Sequence, residues 1–235
     1  MASTNVPGLR EFLQEFPRMA VRPSGGSDLV LKGRFTFTAA SNEHGQITDE
    51  YLLTIHVSRD FPKSLPRVTE TGSKIPRTEG FHINPDNTLC LGSPLRLLLN
   101  ISTAPTLLGF AEKCLVPHLF AISHKLRRGG PLPFGELAHG LPGILVDYMD
   151  LFKLDKPEQA FRALQLLGLK KRRANKYPCP SGCKLRLGKC RFNFRMRKFR
   201  ELSERSWFRQ QAQEAEKQLE IYRRRLRDRS LKVEG

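Results

Sequence analysis

Phe81-His-Ile-Asn-Pro-Asp-Asn-Thr-Leu-Cys-Leu-Gly92 carries the most informative residues of this 235-residue chain. By composition it is a loop: Pro85 and Gly92 punctuate it, and the Asn-Pro-Asp-Asn run favours a turn. It sits in an extended loop of residues 72–100, rich in Gly, Pro, Asn and Asp and without a sustained helical period. Cys90 stands between leucines, with His82 and Asn84 a few residues upstream. A cysteine so placed reads either as a nucleophile or as a packing residue, because free cysteine is among the most buried residue types.

Outward from the loop, the pattern is mixed. Before it, Leu9, Phe12, Leu13 and Phe16 have the spacing of a short amphipathic helix, with Pro7 near its start and Pro17 at its end. Residues 29–39 and 51–58 are rich in β-branched and aromatic residues and read as strands, joined by a polar hairpin loop at 41–46. Phe61-Pro62 and Leu65-Pro66 punctuate a third strand around Val68, since each proline removes an amide donor and fixes φ. After the loop, Thr103-Ala-Pro opens an apolar helical stretch over 107–126, interrupted by Pro117. A Gly/Pro-rich connector spans 129–142, and two short helices follow at about 144–152 and 157–167. The order helix, meander, long loop, helices is that of an α+β fold, and no internal repeat is visible.

With these elements in place, Phe61-Pro-Lys-Ser-Leu-Pro-Arg-Val68 after a meander, then His82-x-Asn84, then Cys90-Leu91, resembles the ubiquitin-conjugating enzyme (UBC-like) family over residues 8–126. Two departures stand out. Ile83 occupies the proline position of the family's His-Pro-Asn motif, and only five residues separate Asn84 from Cys90, fewer than in the common eukaryotic pattern. The form is closer to the bacterial relatives, some of which serve in antiphage signalling operons. There they join the C-terminus of a ubiquitin-like protein or of a nucleotidyltransferase to a target. The resemblance implies a transferase with Cys90 as its catalytic cysteine, working in bacterial antiviral defence with an activating enzyme, a modifier and a target protein as partners.

The chemistry also stands on its own terms. A thioester carrier needs an accessible sulfur nucleophile, because a thiolate accepts an acyl group well and later leaves well. Cys90 fits that role. When an amine attacks, negative charge develops on the carbonyl oxygen, and a neutral amide donor can stabilise it; Asn84 is the candidate, as the resemblance also implies. His82 reads as fixing the loop by hydrogen bonding or as a catalytic group. Asp86 reads as a turn residue or as a group that orients an incoming lysine. Cys114, amid Phe110, Leu115 and Phe120, reads as core, and His118, His124 and His139 show no ligand spacing and take no role. No Gly-rich phosphate loop is present, so activation by ATP is assigned to another protein.

The remaining thiols, Cys179, Cys183 and Cys190, lie within twelve residues among Gly and Pro. Such compactness suits a small zinc knuckle, since Zn²⁺ takes soft ligands tetrahedrally. The segment is similar to the SEC-C zinc motif, Cys-Pro-Cys-Gly-Ser-Gly-Lys-x-x-Gly-x-Cys. Here the second cysteine stands further from the first, and no fourth Cys or His follows Cys190. Zinc and plain thiols therefore both remain open.

Charge separates the same regions. Residues 1–168 hold 18 Lys+Arg and 16 Asp+Glu, a net of +2, whereas 169–235 hold 22 and 7, a net of +15. Residues 170–176 read as a basic linker, and about 197–232, free of Pro and Gly, as one long basic helix. Its apolar stripe is Phe199, Leu202, Trp207, Leu219, Tyr222 and Leu226. Phe192, Phe194, Phe199 and Trp207 interleave with arginines in a way that suits stacking on bases. The helix reads as a solvated face, a nucleic-acid contact, or a dock for an acidic protein. The expected division is a conjugating domain at 1–155, a helix and basic linker at 156–176, a zinc knuckle at 177–196 and a basic helix at 197–235. No run of about 18 apolar residues exists to span a bilayer, and residues 1–7 lack the pattern of a signal peptide. A cytoplasmic protein with no membrane partner is expected, its thiols reduced or metal-bound rather than disulfide-paired. If Cys90 is not a nucleophile, the alternative is a non-catalytic binding module with a basic, zinc-like tail for nucleic acid.

Overall fold

A computed structural model of the chain describes residues 6–26, 28–78, 80–133 and 141–231, without the side chains of 141, 142, 218, 221, 222 and 225–231. It is a mixed α+β structure in two compact units, Met1–Glu136 and Leu137–Gly235.

The first unit is built on an antiparallel meander in which β1 (Met19–Arg22), β2 (Leu29–Ser41), β3 (Gly45–Val57) and β4 (Arg67–Glu70) pair in chain order. β2 and β3 form the long hairpin, with Leu31 opposite Ile55 and Ala39 opposite Ile47. Along β2 the side chains of Leu29, Leu31, Phe35 and Phe37 are buried while Lys32, Arg34, Thr36 and Thr38 are exposed, the period-two pattern of a sheet with one dry face. β1 adds a strand to the three expected. Its four residues bury only Met19, too few to display alternation in sequence.

Helices cover the dry face. α1 (Leu9–Glu15) buries Phe12, whose ring centroid lies 5.0 Å from Phe16, and Phe16 stacks on Phe35 at 4.1 Å. Gly8 precedes α1 at φ +75°, and a Cβ there would stand 2.6 Å from the Thr106 Cβ, so both conformation and space demand glycine. The 72–100 stretch is not loop throughout: α2 (Pro94–Ile101) closes it, with Pro94 in its first turn and Leu95, Leu97, Leu98 and Ile101 buried. The expected 107–126 helix runs instead as α3 (Leu107–Phe110), a π turn at Ala111–Leu115, and α4 (Val116–Arg128). Pro117 has no amide hydrogen and would crowd the preceding turn; the wide turn, in which Val116 N–H reaches the Ala111 carbonyl, absorbs it without breaking the helix. The Tyr51 and Ser123 hydroxyls, 2.7 Å apart, join β3 to α4 inside the core.

The second unit is helical. α5 (Leu141–Phe152), α6 (Pro157–Leu167) and α9 (Arg205–Leu231) pack on one another, with α7 (Lys171–Ala174), a 3₁₀ turn (Leu187–Lys189) and α8 (Phe192–Arg200) between them in sequence. Ala160 and Ala163 on α6 are fully buried, and such small side chains suit close helix approach. Phe152 meets Phe199 edge-on at 4.8 Å, and the Tyr148 hydroxyl donates to Gln211 at 3.0 Å.

Three expectations change here. The boundary falls at 136/137 rather than 155/156, because the buried Leu145, Tyr148 and Phe152 on α5 belong to the same core as α6 and α9. The basic stretch 170–176 is folded, not a linker: it forms α7, buries Ala174, and its Asn175 carbonyl accepts from Gly188 N–H at 3.1 Å. The single tail helix is two, since the chain leaves helical geometry at 201–204 between α8 and α9. Residues 232–235 and the side chains of Tyr222 and Leu226 lie outside the described residues. Among the described residues, no helix is long and apolar enough to cross a membrane.

Candidate functional site

The Cys90 segment folds as a miniature hairpin laid against β4. The Asn84 carbonyl accepts from Asn87 N–H at 2.9 Å across Pro85 and Asp86, and Asn87 follows at φ +64°. A three-residue connection of this kind uses proline second in the turn and a left-handed residue to finish it. Its arms are held by Asn84 N–H to the Thr88 carbonyl (2.8 Å) and Cys90 N–H to the His82 carbonyl (2.7 Å), with Ile83 paired to Leu89. Leu89 N–H then reaches the Val68 carbonyl of β4 at 2.7 Å, and the Arg77 guanidinium spans the Glu70 (2.8 Å) and Asn87 (3.4 Å) carbonyls. Because strand side chains alternate and paired residues share a face, Asn84, Thr88 and Cys90 emerge on one side of the hairpin. Leu89, on the other side, is buried.

The polar groups of this hairpin are engaged with one another. The Asn84 amide donates to Thr88 Oγ1 at 2.9 Å, and Thr88 donates both its hydroxyl (2.6 Å) and its N–H (3.0 Å) to Asp86 Oδ1. Those two bonds hold the Asp86 carboxyl below the ordinary carboxylate range, and they make it a turn-stabilising residue. The Cys90 thiol is half-buried. Burial pushes its pKa above the usual thiol value, offset in part by a hydrogen bond from Gly92 N–H.

His82 sits at φ +52°, its carbonyl used by Cys90. His118, on α4, lies close enough to His82 to feel its charge: burial first, then His82, pulls the His118 pKa down to about 3. Its Nε2 is buried without a hydrogen-bond partner among the described residues. The sequence assigns His118 no role, and no local spacing signals this approach. His124 instead meets His44 at a ring-centroid distance of 4.7 Å. His139 lies outside the described residues. Cys114, in the π turn, is buried with its thiol toward the Leu97 carbonyl of α2 and pushed up to about 12 by desolvation, as a core position implies.

In the second unit Cys179, Cys183 and Cys190 come together, their Sγ atoms all within 4.8 Å of one another. Cys179 and Cys183 sit on a tight hairpin, where Cys179 N–H reaches the Leu185 carbonyl (2.8 Å) and Gly182 (φ +75°) and Lys184 (φ +62°) turn the chain. Cys190 ends the 3₁₀ turn, where Phe192 N–H donates to its Sγ at 3.4 Å. The three thiols differ. Burial drives Cys179 up to about 11, while exposed Cys183, hydrogen-bonded first by Ser181 and then by Leu185 N–H and Cys190, falls to about 7. Tetrahedral zinc with Zn–S near 2.3 Å sets its sulfurs roughly 3.8 Å apart, so the cluster fits three of four positions. A fourth ligand among Cys, His, Asp or Glu is absent from the described residues.

The aromatic residues of the tail separate into two kinds. Phe192 and Phe199 are core, buried against the helices of this unit, and are not free to stack on bases. Phe194 is 76% exposed with the Arg197 guanidinium 5.6 Å over its ring, and Trp207 packs edge-on to Phe208 at 5.0 Å. The signal for the buried set was their spacing with Met196 at i, i+4 and i+7. No family model matches the chain, and no curated protein or solved structure matches it.

Proposed function

We propose that this chain is a cysteine-dependent conjugating enzyme of the UBC-like type. The Cys90 thiolate attacks the activated C-terminal carbonyl of a modifier held on its activating enzyme, forms a thioester and expels the activating group. A target amine then attacks that thioester, an amide bond forms, and the Cys90 thiolate leaves. The modifier is the C-terminal glycine of a ubiquitin-like protein or of a nucleotidyltransferase, and the setting is bacterial antiviral defence in the cytoplasm. The observation that carries this reading is the hairpin of residues 82–90, whose alternation gives Cys90 and an amide donor, Asn84, a common face beside a four-stranded antiparallel sheet. Asn84 stabilises the oxyanion with the amide hydrogen not committed to Thr88, and His82 holds the base of the hairpin through its carbonyl.

A second reading rests on the raised pKa of Cys90 and on the engagement of the Asn84 amide by Thr88. Both suit a non-catalytic platform whose basic tail does the binding. Expression of tagged wild type and Cys90→Ala in the native host, purification under acidic non-reducing conditions, and mass spectrometry of whatever a thiol reductant releases separates the two. A reductant-labile adduct confined to wild type supports the conjugating enzyme and identifies its modifier. No adduct, with the activating enzyme demonstrably present, rejects it in favour of the platform.

A further inference from the structure

Between the end of α6 and the start of α9, the second unit holds an open cleft of about 380 Å³, of the size that takes a small ligand. Its lining is one-signed. Lys170, Lys171, Arg200 and Arg205 contribute four cations, Ser203 adds a hydroxyl, and no carboxylate is among the lining residues. Glu201 and Glu204, the acids of the adjoining turn, lie outside it. Lys170, Lys171 and Arg205 are exposed and form no ion pair among the described residues, so their charge is not spent internally. Arg200 is different: its guanidinium donates to the carbonyls of Leu166 (3.1 Å), Leu167 (3.4 Å) and Leu169 (3.2 Å), closing the end of α6. Arg200 is thereby fixed as a rigid wall of the cleft. Leu167 and Phe208 lie beneath the cleft, 0% and 1% exposed, and of the apolar lining residues only Leu169 is half-open.

Four cations, with no carboxylate among the lining residues, match a ligand that presents phosphate groups. We infer that this cleft binds the phosphate groups of a nucleotide or of a nucleic-acid strand. Lys170, Lys171 and Arg205 meet the phosphate, beside the wall that Arg200 forms. This site gives the diffuse basicity of the tail a place and a chemistry. It is independent of Cys90, so the Cys90→Ala chain binds as wild type does, and failure here leaves the conjugation reading untouched.

The test titrates the full-length protein with a fluorescein-labelled 20-nucleotide single-stranded RNA across salt. It compares wild type with Lys170→Glu/Lys171→Glu/Arg205→Glu and with a control of equal charge change at exposed positions outside the cleft, Lys176→Glu/Arg197→Glu/Lys198→Glu. Circular dichroism confirms that both variants are folded. The cleft variant is expected to lose at least tenfold more affinity than the control. Its salt slope is expected to fall by roughly two, at about 0.7 per phosphate contact on a single strand. Competition by AMP or pyrophosphate assigns the source. Displacement of the RNA at millimolar concentration makes a free nucleotide sufficient, and failure to displace it makes the strand the ligand. Equal losses in the two variants, no loss in either, or competition by polyglutamate as strong as by an oligonucleotide of equal charge overturns the inference.

Discussion

Cys90 and Cys183 are both thiols on tight hairpins, yet their surroundings drive them apart. Cys90 is half-buried beside β4 with one amide donor, and burial wins, so its pKa rises. Cys183 is exposed and collects hydrogen bonds from a hydroxyl, an amide and a neighbouring thiol, so its pKa falls to about 7. Cys90 sits in a hairpin arm and Cys183 in a turn between left-handed Gly182 and Lys184, and the balance of desolvation against donors decides the chemistry. A thiolate that forms readily beside two other sulfurs suits a metal. A thiol held protonated by burial is the less reactive of the two until something changes its surroundings.

The sharpest way to break this contrast is to exchange the losses. After zinc loading and gel filtration, elemental analysis of wild type and Cys90→Ala is expected to give about one zinc per chain, and of Cys183→Ser/Cys190→Ser near none. The reductant-labile adduct is expected to follow the opposite pattern. Zinc in the double serine variant would show that the thiol cluster is not the ligand set. Next in size, Asn84→Ala is expected to slow transfer from Cys90 by roughly 10²–10³ while leaving thioester charging within a few-fold. Equal loss of both steps would make Asn84 a loop residue only.

A smaller effect is read by alkylation of the metal-free protein. The thiolate is the reactive species, so the Cys183 rate is expected to level off just above pH 7 while the Cys90 rate still climbs past pH 9. At pH 7.5 Cys183 is expected to react roughly tenfold or more faster, read by peptide mass spectrometry. The smallest effect is at Asp86. Its depressed pKa stabilises the folded loop above the ordinary carboxylate pKa, and that stabilisation is lost as pH falls through the depressed value. Solvent exposure limits it, and Asp86→Asn is expected to cost about 0.5 kcal/mol by denaturant titration.

What could be read from sequence was local. The β2/β3 hairpin shows in the alternation of Leu29, Leu31, Phe35 and Phe37 against charged and hydroxyl residues, and the thiol cluster shows in its spacing. α2, only eight residues long, is hidden among the loop signals around it, although Ser93-Pro94 marks its start and Arg96 and Asn100 share its more open face. The Asn84–Thr88–Asp86 network fits a turn signal that was legible, whereas the approach of His118 to His82 depends on how α4 lies over the loop. From sequence α5 reads with the first unit for a similar reason: one of its partners, α9, lies more than fifty residues away in the chain.

The wide turn at Ala111–Leu115 bears on how relatives of this chain would align. A π turn is one extra residue carried inside a helix without loss of the helix. A homologue without Pro117 has no need of that residue, and its alignment to this chain would open a one-position gap in the middle of a buried helix. Such a gap ordinarily marks a surface loop. Here it would mark the place where a helix takes up an insertion while Leu119, Phe120 and Ile122 keep their seats in the core.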